Sequence, residues 1–266
     1  MSASDPGTDE VGLDESKAPL MDHLIELRRR LIWCALALGL TFAVSIYFSR
    51  TIFAFLVQPL LRAGQGQLIY TNIFEAFFTE IKVAFFSAIM LSFPIIATQI
   101  WQFVAPGLYA KEKKAFRPFL IVTPLLFGLG AALAYYVAMP VALHFLLGFE
   151  GNVGGVQQNA LPGVGNYLDF VTRFMFGFGV AFLLPVALML MERAGLVTRQ
   201  QLKRGRRYAI LIAFVLAAIL TPPDVLSQFL LAVPLIVLYE LSLVAIWLTE
   251  RKRNRAASAA AASDPG

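Results

Sequence analysis

Six apolar runs, most of them close to the ~20 residues a helix needs to cross hydrocarbon, constrain this 266-residue chain more than any other feature. They cover residues 31–48, 81–104, 119–141, 170–191, 208–220 and 229–248. A hydrophobic fraction of 58% with mean hydropathy +0.70 exceeds what a water-soluble core consumes, so the surplus needs lipid as solvent. Charged residues make up only 15%, and they cluster at the chain ends and in short connections instead of along helical faces. The fold class expected is all-α: a polytopic membrane protein of six transmembrane helices.

Orientation follows from lysine and arginine. Lys17, Arg28, Arg29 and Arg30 precede the first run, and Lys111, Lys113, Lys114 and Arg117 lie in the second connection. The fourth connection holds Arg193, Arg199, Lys203, Arg204, Arg206 and Arg207, and the C-terminal tail holds Arg251, Lys252, Arg253 and Arg255. Eighteen of the 22 basic residues therefore fall on one side, with only Arg50 and Arg62 in the opposite loops and Lys82 and Arg173 near helix ends. Under the positive-inside rule both termini are cytoplasmic, which an odd number of spans would contradict. The division expected is a disordered polar tail at 1–20, a membrane domain at 21–250 and a low-complexity tail at 251–266. The first tail is acidic, neither a cleavable signal peptide nor an arginine-rich transit peptide.

The loop at 50–80 mixes apolar and aromatic residues around Pro59, which predicts an interfacial helix, whereas 148–166 is rich in Gly, Asn and Gln. Pro94, Pro124, Pro185 and Pro234 interrupt spans, predicting kinked helices that form a concave surface. The fifth run is thirteen residues. At 1.5 Å per residue it reaches about 20 Å, short of the ~30 Å core, so the turn Thr221-Pro222-Pro223-Asp224 sits below the membrane surface and the sixth span becomes a second candidate for shortening.

Chemistry is sparse. Cys34 is the one cysteine and the two histidines, His23 and His144, are far apart, so no thiol cluster or paired imidazoles offer a metal site. There is no HExxH, GxSxG or Walker loop, and neither an enzyme nor a cofactor is expected. Glu26, in HLIELRRRL, can pair with Arg29 and Arg30 at i+3 and i+4, an ordinary way to neutralise a helix end. Glu112, in YAKEKK, has the same ordinary reading. Gln99 and Gln228 suit helix-to-helix hydrogen bonding. Glu240 stands out, because an ionisable group in a span faces a partner or a wet cavity. Asp169 and Arg173, at i and i+4, read as an ion pair.

The segments HLIELRRRL, WQFVAPGLYAKEKK, FGVAFLLP and LTPPDVLSQ, in this order, resemble the TatC family, the polytopic subunit of the twin-arginine protein translocase. The resemblance covers roughly residues 20–251. It implies a receptor of the bacterial inner membrane that binds twin-arginine signal peptides and, with single-span TatA/TatB-type subunits, moves folded proteins on the proton-motive force. It further implies a homo-oligomer within a receptor complex, surrounded by lipid and without nucleic acid. Carried over position by position, Glu26 and Glu112 become the arginine readers with Arg28 a basic neighbour. A carboxylate takes two parallel hydrogen bonds from one guanidinium, and lysine fits less well.

Pro59, Gln99, Phe103, Thr221, Pro222, Pro223, Asp224, Gln228 and Glu240 match further family positions, with the turn as the docking side for partner helices. One position departs: many family members have a glutamate two residues before the proline of FGVAFLLP, where this chain has Leu183. Two rival readings stand beside the receptor, a proton-coupled secondary transporter working through Glu240 and a membrane scaffold that transports nothing.

Overall fold

The computed structural model describes residues 8–108, 113–158, 160–221 and 224–262. Helix α1 runs Thr8–Tyr47, α2 Ser49–Arg62, α3 Glu75–Leu108 and α4 Lys113–Leu133. A π-helical turn at Ala134–Ala138 leads into α5, Met139–Leu147. A two-residue turn joins the short antiparallel strands β1, Gly151–Val153, and β2, Val156–Gln158. Then come α6, Val164–Ala181; α7, Leu184–Arg193; α8, Arg199–Arg204; α9, Arg206–Leu220; and α10, Val225–Ala262. Apart from an isolated bridge between Ile69 and Gly163, the hairpin is the β structure among the described residues, in the Gly-rich loop that glycines at positive φ allow to reverse so tightly: Gly154 at 62° and Gly155 at 90°.

Among the described residues five stretches are long and apolar enough to cross a membrane: Leu24–Tyr47, Glu75–Phe103, Phe119–Leu147, Val164–Arg193 and Val225–Arg251. This is a multi-pass membrane protein. The remaining expected span is α9, whose 15 residues rise about 22 Å, short as its sequence indicates. The terminal helices also run further than the tails at 1–20 and 251–266 suggested. The alanines after Arg255 are the best helix formers.

The prolines act differently from one another. Helical structure continues through Pro94, Pro124 and Pro234, but the fourth span breaks at Phe182–Leu183. Pro185, in the first turn of α7, cannot donate to the Ala181 carbonyl four residues back, and α6 ends at Ala181. In the third span Pro140, which cannot donate to Tyr136, sits just beyond the π-helical turn that absorbs the mismatch.

The core centres on α6, whose Leu168, Val171, Phe174 and Phe178 are fully buried. It meets α4 at a close crossing made by two glycines. A Cβ at Gly130 would come within 2.5 Å of the Phe178 carbonyl, and one at Gly179 within 2.6 Å of the Phe127 ring. Small residues at such crossings let helices approach where lipid gives no hydrophobic push. The outward faces are apolar in the manner lipid requires: along α10, Phe229, Val233, Val237 and Leu241 are about half exposed.

The span ends form two groups. The basic end holds the starts of α1 and α9 and the end of α3; the hairpin end holds α2, the hairpin and the start of α6. At the hairpin end the loop where a helix is expected does hold one, α2, which buries Ser49, Leu56, Pro59 and Leu60. Pro59 has no N–H to offer the Phe55 carbonyl, and the Tyr135 hydroxyl donates to it instead at 2.7 Å. Tyr167 likewise donates to the Leu56 carbonyl at 2.8 Å. The two hairpin-end loops are laced together. Ile69 N–H donates to Pro162 O at 3.2 Å and Val164 N–H to Ile69 O at 2.9 Å. Glu75 accepts from the N–H of Gly165 at 2.6 Å, from Thr71 through both its N–H and hydroxyl, and from Asn72 N–H. Gln65 donates to Ala160 O.

Candidate functional site

At the basic end, Glu26 and Arg30 are one turn apart on α1, so their side chains share a face. Glu26 Oε1 accepts from Arg30 Nε at 3.0 Å and from Arg30 Nη2. This is half of the expected pattern: Arg30 pairs with Glu26, while Arg29 lines the cavity beside it. The same guanidinium reaches α3. Its Nη1 donates to Gln102 Oε1 at 2.9 Å and, more weakly, to Gln99 Oε1 at 3.4 Å.

These groups open onto a cavity of about 520 Å³ lined by Ile25, Glu26, Arg29, Arg30, Trp33, Gln99 and Gln102. The Glu26 side chain is 35% exposed and that of Arg30 20%, so the pair is reachable from solvent without being fully hydrated. Chemically the cavity presents acceptors: one carboxylate and two amide oxygens converge on a cationic fork.

Of the residues read from the sequence, Glu26 and Gln99 meet here. Phe103 lies one turn beyond Gln99, partly buried. Arg28 is exposed and two residues from Glu26, which puts it on a different face of α1. Glu112 lies outside the described residues, four beyond the last described turn of α3. Gln102 was missed. The available signal was its i, i+3 spacing from Gln99, which places both amides on one helical face.

The turn residues and Pro59 gather elsewhere, toward the hairpin end. Thr221 is buried and donates to the Ala217 carbonyl at 2.8 Å. Asp224 starts α10 by accepting the Ser227 N–H at 2.7 Å, the usual helix-cap arrangement. Gln228 donates to the Phe214 carbonyl at 3.1 Å, tying α10 to α9 as a glutamine between membrane helices should. Pro222 and Pro223 lie outside the described residues.

Glu240 returns to the basic end. Its Oε2 accepts from Arg206, the first residue of α9, at 2.7 Å, and both side chains are about half exposed. Glu240 lies inside the apolar stretch Val225–Arg251, and the pair gives this carboxylate a partner at the start of α9. The expected Asp169–Arg173 pair is replaced: Lys82 of α3 donates to Asp169 at 2.9 Å, so the contact joins two spans instead of one helix to itself. At the position where family members carry a glutamate, Leu183 sits partly buried in the break between α6 and α7.

Comparison with known proteins gives one consistent result. Residues 22–234 match the family model described as TatC, Sec-independent protein translocase protein. A Sec-independent protein translocase protein TatC of Magnetococcus marinus is 46% identical over 90% of this chain and 88% of its own length. The TatC of Escherichia coli strain K12 is 40% identical over 85% of this chain and 87% of its own length. A crystal structure of the twin-arginine translocase receptor TatC in DDM superposes with a TM-score of 0.75 at 39% identity, covering 84% of this chain and 98% of that one.

Proposed function

The chain belongs to the TatC family of Sec-independent protein translocase proteins, and on that premise we propose that it is the receptor that binds twin-arginine signal peptides and hands folded proteins across the membrane. The basic end faces the cytoplasm and the hairpin end the other side, in a bacterial inner membrane. Glu26 and Glu112, from separate segments, each read one arginine of the motif. Single-span partner subunits dock near the α9–α10 turn, further copies of the chain join the receptor complex, and the proton-motive force drives transport.

The observation that carries the reading is the guanidinium already held by Glu26 in a solvent-reachable cavity beside Gln99 and Gln102. The site accommodates the head group that defines the signal. Around it Arg28 and Arg29 are exposed, so long-range attraction cannot recruit a cationic peptide and recognition falls to the local acids.

The test is photo-cross-linking of a twin-arginine peptide to the protein in inner-membrane vesicles. Glu26→Ala and Glu112→Ala are each expected to weaken binding by about a hundredfold, the scale of losing one partner of a hydrogen-bonded charge pair, while membrane insertion is unchanged. Undiminished cross-linking to the double variant would refute the assignment. Cysteines at Gly154 and Ala257 check the orientation: an impermeant reagent added outside the cell should label the first, and the second only after lysis.

A further inference from the structure

Glu26 already holds a guanidinium from its own chain. A guanidinium is all donor, five N–H groups in a planar fork, and Arg30 directs its fork at acceptors on two helices: Glu26 of α1, Gln99 and Gln102 of α3. Nothing in that set depends on the arginine coming from this chain. We infer that Arg30 is a resident stand-in for a signal arginine, occupying a guanidinium cradle of Glu26, Gln99 and Gln102 that the bound peptide takes over. The inference rests on Glu26 being an arginine reader.

Three consequences of the chemistry support it. First, Glu26 is only 35% exposed at the edge of an apolar span, where an unpaired carboxylate is costly, and Arg30 keeps it neutralised between cargoes. Second, exchange replaces like with like: the peptide gains what Arg30 gives up, so the net affinity is held down by the fraction of time the cradle is free. A receptor that must release its cargo benefits from that limit. Third, the cradle itself selects. A lysine ammonium offers a compact charge with three donors in place of a planar fork, so it suits the carboxylate and amides less well than an arginine does, while Arg30 lowers the affinity of both by the same factor. The cavity, at about 520 Å³, has room for a second long side chain beside Arg30 during the exchange. Gln102 becomes a binding residue by the same argument, since it makes the shorter of the two amide contacts with the guanidinium, 2.9 Å against 3.4 Å for Gln99.

The experiment uses the full-length protein in phospholipid nanodiscs and fluorescent signal peptides bearing either two arginines or two lysines, with dissociation constants from anisotropy. Arg30→Lys preserves the charge but not the fork. It is expected to tighten arginine-peptide binding about tenfold, the worth of roughly one charge-assisted hydrogen bond, and to tighten lysine-peptide binding by the same factor, so discrimination is unchanged. Added to Arg30→Lys, Gln102→Leu is expected to weaken the arginine peptide several-fold, whereas with Arg30 in place the loss falls on Arg30 and the peptide alike and nearly cancels. Arg30→Met gives the same direction as Arg30→Lys; should it fail to fold, Arg30→Lys decides alone.

Unchanged affinities in Arg30→Lys, or weaker arginine-peptide binding, overturn the stand-in. Glu26→Ala in the same assay separates the two ideas. If it abolishes binding while Arg30→Lys changes nothing, the reader stands and the stand-in falls; if it changes nothing, both fall.

Discussion

The two ends of this protein differ in the balance of their contacts. At the hairpin end, beside the open ion pairs Arg50–Glu80 and Lys82–Asp169, polar groups are mostly satisfied through backbone: Tyr135 and Tyr167 donate to carbonyls of α2, Glu75 gathers N–H groups from the loop before α3 and from the start of α6, and Ile69 pairs with residues beside α6. At the basic end the contacts run between charged or amide side chains that solvent reaches: Glu26 with Arg30, Arg30 with Gln102, Arg206 with Glu240. Backbone-satisfied contacts are specific to one arrangement and hard to exchange. Side-chain ion pairs at an open surface are individually weak and can be re-made with another chain's groups. The hairpin end is thus built to keep its shape, and the basic end to change partners.

Lengthening α9 tests that contrast most severely. Four leucines inserted after Leu220 add about 6 Å and bring the helix close to bilayer thickness. This moves the turn at the hairpin end without touching the cradle. Cargo export is expected to fall to background while peptide cross-linking survives. Export at the unmodified rate would show the shortness to be incidental, and loss of both activities would show the two ends to be inseparable.

Next in size is the crossing that both ends share. Gly130→Ala drives a Cβ into the Phe178 carbonyl and the Phe182 ring, and overpacking of that kind costs about 1–3 kcal/mol. Thermal unfolding in detergent should drop, and hydrogen exchange should quicken at both ends together. Tyr135→Phe acts on one end only. It orphans a part-buried carbonyl at a cost of roughly 1 kcal/mol, which should raise exchange in α2 and leave peptide affinity alone. The smallest effect belongs to Lys82→Met, which breaks an ion pair half open to solvent; a shift above about 1 kcal/mol there would mean the outer charges matter more than their exposure allows.

The spans were readable from the chain because hydropathy is a one-dimensional signal: an apolar run announces itself wherever it folds. The short α9 was legible for the same reason, and Glu26 became legible through the company of its motif. What stayed hidden required a second segment. Gln102 reads as one more polar residue near a helix end until Arg30 reaches it from 72 positions away. Asp169 looked settled by Arg173 because local spacing is all a sequence displays, and Lys82, 87 residues distant, took the contact. The prolines carried no mark saying which would break a helix. Pro185 ends one, while the helix continues past Pro94, Pro124 and Pro234.

The Phe55 carbonyl shows how such hidden pairings constrain inheritance. A carbonyl oxygen has two lone pairs, so it can accept from Tyr135 and from an N–H at position 59 at once. A lineage that lost the proline first would therefore keep a satisfied carbonyl, now with two donors. One that lost the tyrosine first would carry a part-buried acceptor with neither. The two steps reach the same sequence by routes of unequal fitness, and descent should favour the order in which position 59 changes before position 135.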